Sequence, residues 1–188
     1  VGSTINGQIS QSRGEVMNIF YLDRDPGIAA AMHCDKHVVK MILETAQMLS
    51  TAHRVLDGDE PADEVGLYKR AFENHPCSIW LRDCVTNYMW GYNLFTSLLK
   101  EYTRRYKKFH ASNRLSNLLS YEPDNIAKFK WQCNMDAPMS WLGVTEPPQC
   151  MPDKYKCEDP VQAYRNYYLG EKMYMAVWTE REVPAWIQ

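Results

Sequence analysis

The chain has no apolar run approaching the roughly 18 residues that a membrane-crossing helix needs, so no membrane partner is expected. It has no CxxC pair, and no secretory signal precedes its six cysteines, Cys34, Cys77, Cys84, Cys133, Cys150 and Cys157. That usage reads as reduced thiols in a cytoplasmic protein, of the host cell if the chain is viral. Charge of one sign is also missing. A net charge of -2 argues against a non-specific polyanion coat and leaves nucleic-acid contact to a local basic patch. There is no internal repeat and no low-complexity tract. With 188 residues, 45% of them hydrophobic and 23% charged, one globular domain can bury a core without metal or disulfide support.

Aromatic residues are in surplus. The 6 Trp and 12 Tyr exceed what packing alone requires and suit stacking on flat ligands, though cores and protein interfaces use them equally.

One stretch combines helical periodicity with dense ionisable chemistry. On a wheel of about 100° per residue, His33, His37, Lys40, Glu44, Gln47 and Thr51 share one narrow face. Val38, Val39, Met41, Ile42, Leu43, Ala46, Met48 and Leu49 fill most of the rest. A surface helix shows one apolar stripe and a broad polar face; this pattern is the reverse. It predicts a buried helix whose thin polar stripe is paired internally or lines a cleft.

In chain order, residues 1–16 are polar and aperiodic, a leader or an appended remnant, and 17–188 form one helical domain. Ile19 to Leu22 suits an extended segment or strand. Asp25-Pro26 opens a helix that Ala29 to Met32 carry into the striped one, which runs to about Val55. A short amphipathic helix follows at Glu64 to Phe72. Asn74-His75-Pro76 places His75 at a helix cap, and Cys77 to about Tyr106 is the longest periodic segment. It ends in Arg104, Arg105, Lys107 and Lys108 interleaved with aromatics, which is a phosphate-contacting patch or favourable charge at a helix C-terminus. Arg114 to Leu119 adds a turn of helix. Five prolines break up Tyr121 to Glu158 into a long irregular loop. Asp159-Pro160 then starts a helix that carries Tyr164, Tyr167 and Tyr168 to about Trp178. The expected fold class is mainly α: a single compact domain of two long helices, Asp35 to Val55 and Cys77 to Tyr106, a C-terminal aromatic helix across them, and the irregular loop.

Three chemistries compete for the stripe. His33 and His37 one turn apart chelate a metal with Glu44 or His75, a weak signal on its own. A buried network pairs His37 with Glu44 while Lys40 neutralises the carboxylate. In the third, Glu44 is a general acid/base beside an amine that attacks a carbonyl-like carbon, including C1′ of a sugar losing its base. Cys133, Cys150 and Cys157 match no zinc spacing, so no metal and no cofactor is expected.

The pattern Asp35-x-His37, six residues, then Glu44 resembles the signature of the phage-type pyrimidine-dimer DNA glycosylase/AP lyase family. Asn74-His75 and its following helix are similar to that family's Gly-His segment, and Tyr164-Arg165-Asn166-Tyr167-Tyr168 to its C-terminal aromatic-basic run near DNA. The resemblance implies a small helical enzyme of base-excision type acting on damaged or modified pyrimidines in double-stranded DNA. Glu44 then steers Schiff-base chemistry with His37 as a pocket neighbour, and His33, Gln47 and His75 complete the pocket. Arg104, Arg105, Lys107, Lys108, Tyr164, Arg165 and Tyr168 touch the substrate. Leu43 stands where the family has an arginine, and Lys40 supplies a cation instead. The family's nucleophile is an α-amine exposed by removal of the initiator Met; here Asn18 follows Met17, so the amine falls to Lys40, with Lys36 second. A base- or nucleotide-modifying enzyme on the same scaffold and a non-catalytic assembly protein are the rival readings.

Overall fold

Aspartate followed by proline starts two of the helices as the sequence predicts. In the computed structural model, which describes residues 17–128 and 143–187, Asp25 accepts the amide N–H groups of Gly27 and Ile28 at 2.7 and 3.0 Å. These bonds cap α1 (Pro26–Met32), whose first position is the proline. Asp159 caps α6 (Pro160–Glu171) in the same way. Between them lie α2 (Asp35–Leu56), α3 (Asp59–Glu64), α4 (Pro76–Asp83) and α5 (Val85–Tyr106), so the mainly α fold class holds. No helix of the described residues is long and apolar enough to cross a membrane. Residues 1–16 and Cys133 lie outside the described residues, as does the middle of the proline-broken loop.

The core is an antiparallel pairing of α2 and α5. At one end the Arg105 guanidinium meets the Asp35 carboxylate at 3.0 Å. At the other the Tyr88 hydroxyl lies 2.9 Å from His53 Nε2. Trp90, Tyr88, Phe95, Met41, Ile42 and Met48 are fully buried between them and the flanking helices. Gly91 lets α4 press onto α5, since a Cβ there would collide with the Leu81 side chain.

The expected long helix Asp35 to Val55 is present unbroken as α2, but the helix opened at Asp25 does not run on into it, and the Cys77 to Tyr106 segment is split in two. The backbone turns extended at His33 and Cys34, so α1 and α2 are separate and His33 caps the first instead of sitting in the second. Tertiary bonds fix this break: the Cys34 amide donates to the Tyr168 hydroxyl at 2.9 Å, and Arg105 donates to the carbonyls of Ala31 and His33. At Cys84, φ -158 and ψ 162 separate α4 from α5. There the Val85 amide leaves the helical ladder for the Ala127 carbonyl, 3.0 Å away. Neither break has a glycine or proline to announce it in sequence.

Three further expectations change. The short helix sits at α3, before Glu64 to Phe72, because buried Arg54 draws the later segment in by binding the carbonyls of Leu67 and Tyr68. Ile19 to Leu22 forms no strand: it is buried, and Phe20 turns it at φ 43. The last helix ends at Glu171 instead of near Trp178. The tail beyond it clamps the start of α2, with the amide and hydroxyl of Thr179 on the Asp35 carboxylate and Trp178 Nε1 on the Met32 carbonyl.

Candidate functional site

Asn18 organises the site by folding the chain around its own side chain. Its Oδ1 accepts the amides of Ile19 at 2.8 Å and Phe20 at 3.1 Å, and its Nδ2 donates to the Cys150 carbonyl at 2.8 Å. This local turn places Phe20 in the left-handed region, which is costly for a bulky side chain. The turn also aims the Asn18 amide at α2, where it donates to Glu44 Oε2 at 3.3 Å.

The same carboxylate faces Lys40 one turn earlier, with Lys40 Nζ 3.5 Å from Glu44 Oε1. Glu44 keeps 13% of its side chain exposed and Lys40 keeps 30%, so the pair sits at the rim of the core with access from outside. Val39 and Leu43, expected inside, are exposed beside it at 38% and 40%. The helix is therefore half-covered, and the polar stripe marks the border between core and surface.

Beneath that rim lies His37. Phe20 packs on its ring at a centroid distance of 4.3 Å, and Tyr168 meets it edge-on at 5.1 Å. Both ring nitrogens lack a hydrogen-bond partner among the described residues. Burial pushes the imidazole down to about 2, helped by charge on His33, Lys172 and Lys40, so it is neutral at physiological pH. His33 is pushed down to about 4, again by burial first. Its Nδ1 lies 2.7 Å from the Ala29 carbonyl. On the outer side of Phe20 the Tyr167 ring stacks nearly parallel, 6.0 Å away, and Lys172 Nζ lies over both rings.

The structure thus brings together Glu44, Lys40 and His37, with Gln47 half-buried one turn further along α2. It adds Asn18, Phe20, Tyr167 and Lys172. Asn18 borders, and Phe20 sits in, a run that reads as an ordinary extended segment or strand, and Lys172 falls inside the helix expected to reach Trp178 but just past its observed end at Glu171. His75 caps α4, accepting the Cys77 amide on Nδ1 at 3.2 Å, and lies close to Cys150, whose carbonyl Asn18 holds.

The expected phosphate contacts divide. Arg104, Lys107 and Lys108 are exposed at the end of α5. They flank the start of α2, about 14 Å along the helix axis from Glu44. Arg105 does not belong with them: its side chain is fully buried and binds Asp35 and Glu101 at 3.0 Å each. Arg104 lines two grooves, of about 620 and 580 Å³, and neither includes Glu44, Lys40 or His37. Tyr164 and Tyr168 are likewise buried, their hydroxyls bound to the Pro148 carbonyl and the Cys34 amide, so they do not face a substrate. Arg165 is spent on the Leu22 carbonyl and Asp23. In the aromatic run only Tyr167 faces outward beside the site, because helical spacing turns Tyr164 and Tyr168 to the core.

A carboxylate held against a partly exposed amine, with a neutral imidazole and stacked rings behind it, provides proton transfer, nucleophilic attack and a flat apolar surface in one place. No family model, no curated protein and no solved structure matches this chain.

Proposed function

We propose that the chain is a DNA-acting enzyme of base-excision type, an N-glycosylase with AP lyase activity on damaged or modified pyrimidines. The observation that carries this reading is the Glu44 carboxylate held between two nitrogens, the Asn18 amide at 3.3 Å and the Lys40 ammonium at 3.5 Å. In the family that the Asp35-His37-Glu44 pattern resembles, a glutamate works beside an amine at the start of the chain. Here the nitrogen of residue 18 is an amide, and Met17 before it is 1% exposed and packed into the core. Lys40 therefore supplies the basic nitrogen.

The chemistry follows from that pair. Glu44 takes a proton from the Lys40 ammonium, and the freed nitrogen bonds to C1′ of the target nucleotide. The glycosidic bond breaks, its electron pair leaving with the base, which takes a proton from water. Glu44 returns its proton to O4′ as the ring opens to a protonated imine, which leaves the carboxylate free to act again. Loss of a C2′ proton to the carboxylate then expels the 3′ phosphate, and water releases the sugar from Lys40. Tyr167 and Lys172, on the outer side of buried Phe20, provide the stacking and the positive charge that an extracted nucleotide needs.

The test is borohydride trapping on duplex DNA that carries an abasic site. A covalent complex that disappears in Lys40→Ala and persists in Lys36→Ala is expected. Absence of any complex with folded protein removes the lyase step. If lesion-selective base release then remains, Glu44 directs water instead. Absence of DNA binding even at low salt rejects the whole reading.

A further inference from the structure

His75, Cys77 and Cys150 come from two distant parts of the chain, yet one ligand atom of each lies within 4.8 Å of the other two. Cys77 Sγ and Cys150 Sγ are 3.5 Å apart and both cysteines are free. A tetrahedral zinc ion with sulfur ligands at about 2.3 Å holds them about 3.8 Å apart, so the thiols already stand near ligand spacing. We propose that His75, Cys77 and Cys150 bind one zinc-class divalent cation, with the fourth position open to water.

The donor set decides the metal class. Two thiolates and an imidazole favour Zn²⁺ over Mg²⁺ or Ca²⁺, which require oxygen ligands. Binding releases both thiol protons to solvent, including the one that now bridges the sulfurs. His75 Nδ1 carries a lone pair, since it accepts the Cys77 amide in a long 3.2 Å cap bond. Coordination through Nδ1 replaces that bond and leaves Nε2–H for water.

The position in the fold says what the ion does. Cys150 lies in a segment with no regular structure, and the same residue's carbonyl accepts the Asn18 side chain. Ser78, next to Cys77, donates to Met17 Sδ at 3.8 Å. A bound ion therefore ties α4 to the Cys150 segment, and both hold the Met17–Asn18 turn that touches Glu44. It acts as a positional brace, and this role stands whether or not Glu44 is catalytic.

The experiment uses the full chain purified with reductant, with metal content measured after zinc loading and dialysis. One zinc per chain is expected, with a rise in melting temperature, and Co²⁺ in its place giving a thiolate charge-transfer band. Cys77→Ser and Cys150→Ser should each abolish the band. His75→Gln, at a half-exposed position that tolerates polar change, should weaken binding about tenfold or more, and Cys157→Ser should leave it intact. A reduced, folded wild-type chain that takes up no metal overturns the proposal. So does stoichiometric binding that survives the Cys77/Cys150 double change, or a Cys77–Cys150 disulfide whose reduction yields no zinc site.

Discussion

The main-chain nitrogen of Asn18 and Oε2 of Glu44 are 3.3 Å apart, across 26 residues of sequence. This bond joins the buried entry segment to the exposed rim of α2, and it separates two roles for Glu44. A structural carboxylate is needed for its acceptor oxygens, whereas a catalytic one is needed for its charge and basicity.

Glu44→Gln tests that separation. The amide keeps an acceptor for Asn18 and nearly the same volume, so stability should move by no more than about 1 kcal/mol, the net worth of one hydrogen bond. Trapping and strand cleavage should fall by about 100-fold or more, the scale of a general acid/base contribution. Thermal melting and single-turnover cleavage measured on one preparation give both numbers. Unfolding of the variant would assign Glu44 to the structure instead.

Asn18→Ala should show the opposite balance. It removes the acceptor for the amides of Ile19 and Phe20 and the donor to the Cys150 carbonyl. Leaving buried amides unpaired costs about 1–3 kcal/mol each, and Phe20 loses the turn that holds it at positive φ. A large loss of unfolding free energy in urea is expected, which Asn18→Asp should partly restore because it keeps the acceptor.

Arg104 and Arg105 are neighbours in sequence with opposite fates, and this limits what a basic run can say. Arg105→Ala removes one cation from Glu101, which keeps Arg181, and from Asp35, which keeps Thr179, and it leaves the Ala31 and His33 carbonyls without their donor, at about 1–3 kcal/mol for each group left unpaired. Arg104→Ala should change stability by less than about 0.5 kcal/mol. If the end of α5 touches phosphate, Arg104→Ala should also flatten the salt dependence of DNA binding by about one ion. Urea unfolding and a binding series in salt check the pair.

Legibility of the fold followed the range of the interactions. The Asp25-Pro26, His75-Pro76 and Asp159-Pro160 starts were readable because a cap satisfies its helix from within a few residues. The breaks at Cys34 and Cys84 were not, because their reasons are the Tyr168 hydroxyl and the Ala127 carbonyl, far away in sequence. At the site, helical spacing alone was enough to bring Lys40 beside Glu44. Asn18 was missed because a short apolar run carries no period that points at α2, and Lys172 because the helix expected to reach Trp178 ends at Glu171. Composition overstated the basic run for a related reason: four cations in sequence do not reveal that Arg105 turns inward.

His37 yields a prediction that the sign of its shift decides. Burial holds its folded value near 2 and that of His33 near 4, against about 6.5 in an unfolded chain. The unfolded state therefore binds protons first as pH falls. Both histidines contribute fully to stability above about pH 6.5, and each loses up to about 1.4 kcal/mol per pH unit below it. The loss from His33 levels off near pH 4, whereas that from His37 continues toward pH 2. Unfolding free energy measured in urea between pH 7.5 and 4.5 should fall with a slope to which His33 and His37 contribute most, with His53, His75 and His110, also held down by burial, adding to it. His37→Phe keeps the stack on Phe20 and removes both unpartnered nitrogens. It should reduce that slope by the share of one group and make the variant more stable than the parent at pH 5. An unchanged slope would mean that His37 already has a proton-accepting partner in solution.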